Sequence, residues 1–166
     1  MNIRIENTED EKTIFAVNAA AFKTDAEARL VNMLRADDDL QYSFIAEESG
    51  KLSGHIALSP MDMSGCGDTL KALGLGPVAV WPDIQRSGVG SALINHALEQ
   101  ARLDGWQMIF LLGNPAYYCR FGFSADTAKP FASPYAGPYW QALWLDESVE
   151  KPQSGKAEYA PAFGRL

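Results

Sequence analysis

The clearest hydrophobic pattern in the first half of the chain is alternation, which predicts β-strands. Tyr42, Phe44 and Ala46 fall on one face of residues 41–47, and residues 51–59 alternate in the same way. The residues between these two segments have hairpin turn chemistry, so we expect the segments to pair antiparallel. Further strands are predicted at residues 3–6, 70–80, 106–112 and 140–145, with a short one around Tyr159.

Two segments follow the helical period instead of alternation. Residues 25–36 and residues 88–103 each carry an apolar stripe along one face, as amphipathic helices do. A short helical turn is expected to begin near Pro115, because proline suits the first helical position. The helix at 88–103 joins two predicted strands, and a strand–helix–strand unit favours parallel pairing of those strands.

Length and composition are those of an ordinary globular protein. The chain has 166 residues, of which 47% are hydrophobic and 21% charged. At roughly 100–200 residues per domain we expect one domain, and the composition excludes disordered and fibrous classes. No apolar run approaches the roughly 20 residues of a membrane span, and no leader peptide is visible at the N-terminus.

Charge and cysteine content narrow the classes of ligand. The formal net charge of −7 argues against a nucleic-acid partner, because affinity for a phosphate backbone depends on clusters of Lys and Arg. Cys66 and Cys119 match no metal-ligand spacing and form no disulfide framework. We therefore expect a cytoplasmic protein without a metal ion, whose partners are cationic or neutral or whose anionic ligand is held locally.

Residues 76–91 carry the most informative motif of the chain. A predicted strand and a turn are followed by Gln-Arg-x-Gly-x-Gly at residues 85–90, which opens the helix. Amides at a helix start lack internal partners, the helix dipole adds positive charge there, and glycines let an anion approach closely. The motif indicates a cradle for phosphate or pyrophosphate beside Arg86, although a lone Gly-x-Gly is also typical of tight turns.

Two other phosphate-binding motifs do not fit this segment. A dinucleotide fingerprint needs a third glycine where Leu93 stands, and an acidic residue at the end of the next strand. That strand ends in Leu111, Leu112 and Gly113 instead. A nucleoside-triphosphate loop needs Gly-Lys-Ser/Thr, which the sequence lacks.

A second motif, Tyr-x-x-x-Gly-Phe at residues 118–123, follows the first at a characteristic distance. Together the two motifs resemble those of the GNAT superfamily of N-acetyltransferases, and residues 112–123 are similar to its YhbS-like subgroup. The chain departs from that subgroup at Asn114, where aspartate is common. The resemblance implies an α/β fold over residues 1–166, with a core at about 2–124 and a C-terminal strand and tail at 125–166. The implied sheet is mixed, mostly antiparallel and six- to seven-stranded, splayed in the middle and flanked by helices.

The resemblance also implies acetyl-coenzyme A as the co-substrate. The pantetheine arm would pair with the strand backbone, the pyrophosphate would take amides from the helix start, and two further side chains would flank the arm. The residues implied for these contacts are Val78, Ala79, Val80, Gln85, Arg86, Ser87, Gly88, Val89, Gly90, Ser91, Asn114 and Tyr117.

The implied reaction is attack of an amine on a thioester, which requires that an ammonium group first lose a proton. A strand amide at 78–80 is the expected donor to the oxyanion, and Tyr118 matches the tyrosine that protonates the leaving thiolate. Glu47 and His55 are the candidate bases, with Glu48 and Asp62 as further carboxylates. A water chain in place of a dedicated base is the alternative.

The motifs do not identify the acceptor. A small-molecule amine and a peptide or protein amine are both compatible with them, and the surplus of carboxylates would favour either cation. A non-catalytic coenzyme A sensor is the alternative from another class. Many proteins of this fold dimerise, so a homodimer is among the implied partners.

Overall fold

The computed structural model describes residues 1–166, which form nine strands and five α-helices. The strands are β1 (Asn2–Ile5), β2 (Tyr42–Glu48), β3 (Lys51–Pro60), β4 (Asp62–Ser64), β5 (Ala72–Val80), β6 (Met108–Leu112), β7 (Phe131–Ala132), β8 (Trp140–Trp144) and β9 (Gly155–Glu158). The helices are α1 (Glu11–Phe22), α2 (Ala26–Ala36), α3 (Val89–Leu103), α4 (Pro115–Tyr118) and α5 (Ala125–Ala128). None of the helices combines the length and apolarity that a bilayer crossing needs.

Six strands form the main sheet, in the order β1-β2-β3-β5-β6-β8. All neighbours pair antiparallel except β5 and β6, which are parallel. The mixed, mostly antiparallel α/β sheet expected from the sequence is therefore confirmed. A second sheet, β4-β9-β7, was not expected. The pairing of β4 with β9 joins Asp62 to Glu158, and no local pattern indicates a partner so distant in sequence.

The main sheet opens between β5 and β6. Register pairs join the two strands only from Ala72 to Gly74, whereas β5 continues to Val80. The pairing of β5 with β3 has a register shift in the same region. Ile56 and Leu58 of β3 pair with Val78 and Leu75, so β5 contains one extra residue there. Beyond Gly74 the main chain of β5 thus has a β3 neighbour on one side and an open gap on the other.

Helices cover both faces of the sheet. The apolar stripe of α3 is fully buried against β2, β3 and β5. Gly54 permits this contact, since a Cβ there would lie 2.8 Å from Cγ1 of Val89. On the other face, Ile14 of α1 and Val31 of α2 pack against Ile45 of β2. The open gap therefore lies between two well-packed layers and is reached from the ends of α1, α3 and α4.

Candidate active site

A cavity of about 730 Å³ lies where β5 ends and α3 begins. Gly88 caps α3 in the left-handed conformation (φ 95°), and no side chain caps the helix. The first bond of this helix runs from the Ala92 amide to the Gly88 carbonyl, so the amides of the preceding turn have no helical partner. The residues that line the cavity are Ala21, Phe22, Val78, Val80, Gln85, Arg86, Gly88, Gly90, Ser91, Tyr117, Tyr118 and Arg120.

Charge in this cavity is opposite in sign to that of the whole protein. Arg86 and Arg120 line it, and no Asp or Glu does. Arg120 places its guanidinium 4.5 Å from the centroid of the Tyr117 ring, and its Nε donates to the Tyr117 carbonyl at 2.9 Å. Sequence reasoning missed Arg120, although it lies inside the second motif. Free amides, the α3 dipole and two arginines together make an anion-binding site.

Two of the three expected β5 residues, Val78 and Val80, line the cavity, whereas Ala79 is buried. The Val80 carbonyl accepts a hydrogen bond from Nε2 of Gln85 at 3.1 Å, and the Trp81 amide donates instead to Ser53 of β3. Main-chain groups alternate in direction along a strand. Val78 and Val80 therefore turn their amides to the open gap, and Ala79 turns its amide to β3.

The remaining cradle residues differ in how closely they approach the cavity. The Tyr117 hydroxyl lies 3.4 Å from Oγ of Ser91, which links α4 to the start of α3. Val89 points its side chain into the core, and Ser87 is exposed outside the lining. Asn114 does not line the cavity either, because its Oδ1 accepts the Ala116 amide at 3.0 Å and caps α4.

A second, smaller cavity of about 340 Å³ adjoins the first along the open edge of β5. Ten of its thirteen lining residues are hydrophobic. Its walls come from α1, α2, β5 and the C-terminal tail, which includes Tyr159 and Phe163. Gly74 makes room for this tail, since a Cβ there would lie 2.7 Å from Cε1 of Tyr159. Phe22, Val78 and Tyr118 line both cavities.

Tyr118 is the polar group at the junction of the two cavities. Its ring lies against the backbone of Gly113, where a Cβ would overlap Cε2 and come within 2.8 Å of Cδ2. Burial, followed by the charge of Tyr117, raises the pKa of Tyr118 to about 12. The phenol is therefore protonated at neutral pH and can donate a hydrogen bond to a group that develops negative charge.

The fold and the motifs agree with comparisons to known proteins. Residues 2–125 match the family model described as an acetyltransferase (GNAT) domain. The chain belongs to the GNAT acetyltransferase family. The resemblance seen in the two motifs is thereby confirmed, and the chain is an acetyltransferase by family.

Several GNAT relatives match most of the chain. The uncharacterized N-acetyltransferase YhbS of Escherichia coli (strain K12) is 36% identical over 124 residues, which cover 74% of this chain and 73% of that protein. The uncharacterized N-acetyltransferase YjhQ of the same strain is 35% identical over 150 residues, covering 87% and 82%.

Two solved GNAT structures also match nearly the whole chain. The crystal structure of E. coli YhbS in complex with CoA has a TM-score of 0.87 at 30% identity and covers 99% of this chain and 92% of that one. A GNAT acetyltransferase from Brucella melitensis in complex with acetyl-CoA has a TM-score of 0.80 at 35% identity, covering 98% and 97%. Both relatives were therefore solved with the kind of co-substrate that the sequence motifs imply.

The carboxylates expected as bases lie away from both cavities of this GNAT fold. Glu47 accepts a hydrogen bond from Arg4 at 2.8 Å, and Arg4 also binds Asp10. Glu48 is exposed at the end of β2, and Asp62 is exposed on β4. None of these three side chains lines either cavity. Two other polar residues, Ser91 and Gln85, do line the first cavity, but neither is a base.

His55 is completely buried and does not line either cavity. Nδ2 of Asn18 donates to its Nδ1 at 3.1 Å, so Nε2 carries the proton and donates to Oγ of Ser43 at 2.8 Å. Ser43 in turn donates to Glu6, which binds Arg35. Burial, the largest influence, lowers the pKa of His55 to about 4. Both ring nitrogens are thus occupied in a structural network.

Proposed function

We propose that the protein is an N-acetyltransferase that moves an acetyl group from acetyl-CoA to a primary amine. One observation carries the proposal: Tyr118, a protonated phenol, stands at the junction of a cationic cavity and an apolar cavity. A donor whose diphosphate is anionic suits the first cavity, and an amine suits the second. The reacting groups would then meet beside the phenol.

The residues of the first cavity fit coenzyme A. Unbonded amides at the start of α3 and the side chains of Arg86 and Arg120 would hold its phosphates. The amides of Val78 and Val80 have no β6 partner and would hydrogen-bond the pantetheine arm. Support for this assignment comes from the relatives solved with CoA and acetyl-CoA. No group of metal-ligating side chains is present, and the proposed reaction uses none.

Acetyl-CoA supplies an activated carbonyl, and attack by an amine moves negative charge to the carbonyl oxygen and then to the sulfur. A free strand amide near Val78 would stabilise the oxygen. Tyr118 would donate its phenolic hydrogen to the departing sulfur. A phenolate with a pKa of about 12 is a stronger base than a thiolate, whose pKa is ordinarily about 8.5. Tyr118 would therefore recover its proton as the nitrogen releases one.

Proton balance requires that the nitrogen of the acceptor lose two protons on becoming an amide. One ends on the coenzyme A sulfur through Tyr118, and the other passes to solvent. We assign the second transfer to water, because Glu47 is held by Arg4 and His55 is sealed. Holding two reactants in one geometry can itself remove about 7–11 kcal/mol of barrier.

A titration and an assay test this function together. Acetyl-CoA is expected to bind by calorimetry, and release of free thiol is expected to depend on an added amine from a panel of polyamines, amino acids, aryl amines and peptides. Binding without amine-dependent thiol release across the whole panel would favour a coenzyme A sensor instead. Absence of binding would overturn both functions. A cytoplasmic location is part of the proposal, supported by the free thiols of Cys66 and Cys119.

A further inference from the structure

We propose that the second cavity binds a small primary amine with an aromatic body, and that the Glu27 carboxylate holds its ammonium group. This inference rests on the proposed N-acetyltransferase function, because it assigns the acceptor of that reaction. The 730 Å³ cavity at the start of α3 is called the cofactor cavity, and the 340 Å³ space that shares Phe22, Val78 and Tyr118 with it is called the acceptor cavity.

The walls of the acceptor cavity are aromatic. Tyr135 packs edge-to-face on Tyr159 with ring centroids 5.6 Å apart, and Phe163 stacks on Tyr159 at 4.5 Å. Leu75, which is only 5% exposed, also lines this cavity. Aromatic rings bind other rings in offset or edge-to-face geometry, and they attract cations through their faces. An amine with a planar apolar body therefore gains contacts that a polar chain does not.

Glu27 has the only charged side chain among the residues that line the acceptor cavity. It lies in the first turn of α2, where the helix dipole favours a carboxylate. No cation forms an ion pair with it, and its one hydrogen bond comes from Oγ1 of Thr24 at 3.4 Å. A half-buried, unpaired carboxylate beside an apolar wall is complementary to an ammonium group.

The small volume of this cavity and its single acidic side chain favour a compact monoamine. A polyamine carries two or more ammonium groups, whereas Glu27 is the only Asp or Glu side chain in the lining. A volume of about 340 Å³ is near the lower end of the roughly 300–1,000 Å³ typical of small-molecule sites. Because Tyr118 and Val78 belong to both cavities, an amine anchored here would lie next to the point where the cofactor cavity begins.

Kinetics with matched amines and matched variants test the assignment. We expect kcat/KM for 2-phenylethylamine to exceed that for spermidine and for a lysine-containing peptide by about tenfold or more. Glu27→Gln should raise KM for 2-phenylethylamine by roughly 10- to 100-fold, as for loss of a charged hydrogen bond, with kcat changed less than about twofold. Glu99→Gln, which removes an exposed carboxylate on α3, is the matched control and should match the wild type.

A second variant tests the aromatic wall without relying on Glu27. Tyr135 is 42% exposed, so Tyr135→Ala should fold. It is expected to raise KM for 2-phenylethylamine several-fold more than KM for propylamine, because propylamine has no ring to stack on the wall. Equal effects on the two amines would overturn the aromatic part of the inference.

Binding measurements separate failure of this inference from failure of the proposed function. With the CoA-loaded protein, 2-phenylethylamine should bind by calorimetry, and its neutral analogue 2-phenylethanol should bind about tenfold more weakly. If CoA binds and spermidine or the peptide is the best acceptor, or Glu27→Gln behaves like Glu99→Gln, the inference is overturned and the function stands. If acetyl-CoA does not bind at all, both are overturned.

Discussion

The two cavities that meet at Tyr118 are built in opposite ways. The cofactor cavity is lined half by hydrophobic residues, carries the cationic side chains of Arg86 and Arg120, and presents main-chain amides at the start of α3. The acceptor cavity is mostly apolar, has Glu27 as its only charged side chain, and presents side-chain rings from the C-terminal tail. One cavity therefore depends on backbone conformation, and the other depends on side-chain packing between segments far apart in sequence.

This difference separates phosphate recognition by the backbone, which is general, from ligand recognition by side chains, which is specific to each protein. A backbone cradle recognises phosphate in any protein that adopts the same turn, because amides and dipoles do not depend on side-chain identity. A side-chain cavity changes shape and charge with each substitution. In the proposed assignment, donor binding would depend on the glycines and main-chain amides of the cradle together with Arg86 and Arg120, whereas acceptor choice would depend on side chains such as Glu27 and Tyr135.

The largest effect on turnover should come from displacing Tyr118, which lies where the two cavities meet. Gly113→Ala would place a Cβ into the Tyr118 ring, and the displaced phenol would no longer face the reacting sulfur. We expect kcat to fall about 100-fold, within the range for loss of an acid–base group. The double variant with Tyr118→Phe should be no slower than Tyr118→Phe alone, since both changes act on the same group. Additive losses would show that Gly113 acts through something else.

A smaller effect should follow from disturbing only the cofactor cavity. Gly88→Ala forces a left-handed residue to carry a side chain (φ 95°), at a cost of about 1–2 kcal/mol. The loop is expected to relax away from its binding conformation, so that acetyl-CoA affinity falls about tenfold. Gly105→Ala has similar strain (φ 82°) and open space at the far end of α3. It should lose similar stability and keep its affinity, and a shared loss of affinity would contradict the cradle.

The pH dependence of kcat/KM distinguishes ionisation of the Tyr118 phenol from ionisation of the acceptor amine. Because the pKa of Tyr118 is raised to about 12, the phenol keeps its proton while the acceptor amine, with a pKa of about 10.4, loses its own. The value of kcat/KM should rise from pH 7 to pH 10 without a falling limb. A falling limb below pH 10 that vanishes in Tyr118→Phe would show that the phenol titrates normally.

The smallest kinetic effect is expected at His55, outside both cavities. Its pKa is about 4 in the folded protein and about 6.5 when unfolded, so the unfolded chain binds more protons between those values. The free energy of unfolding should therefore fall as pH drops from about 6.5 to 4, by at most about 1.4 kcal/mol per pH unit. His55→Gln should flatten this dependence and leave kcat/KM at pH 8 within about twofold of wild type. A hundredfold loss of kcat in folded His55→Gln would instead identify His55 as the base.

Sequence reasoning succeeded where structure follows from contiguous residues. The strand, turn and helix at 72–103 follow from hydrophobic pattern, glycine positions and the helical period, which are local properties. The cradle at 85–91 stays a prediction drawn from the same local pattern. The acceptor cavity could not be predicted in this way. Glu27 lies in an ordinary amphipathic helix, and Tyr159 reaches β5 only because Gly74 leaves space for its ring. Such contacts depend on tertiary packing across more than 80 residues of sequence, which no single window records.

Two individual residues illustrate the same division. His55 lies on a central strand, as expected, but its burial with Asn18 and Ser43 depends on helix α1 packing over β3. Arg120 sits inside a motif that was already singled out, yet its position over Tyr117 depends on the turn after α4. The sequence pattern indicated the segments in which both residues lie, whereas their environments follow only from the three-dimensional packing.

The most direct test compares turnover and donor affinity in Tyr118→Phe, which removes one hydroxyl and keeps the ring that separates the cavities. If Tyr118 protonates the departing sulfur, kcat should fall about 100-fold with the best acceptor. The same role predicts that the Kd for acetyl-CoA, measured by calorimetry on the same preparation, changes less than about twofold, because the cradle of α3 is untouched. Wild-type turnover in Tyr118→Phe, or a Kd that weakens as much as kcat falls, would contradict a catalytic role for the phenol at the meeting point of the two cavities.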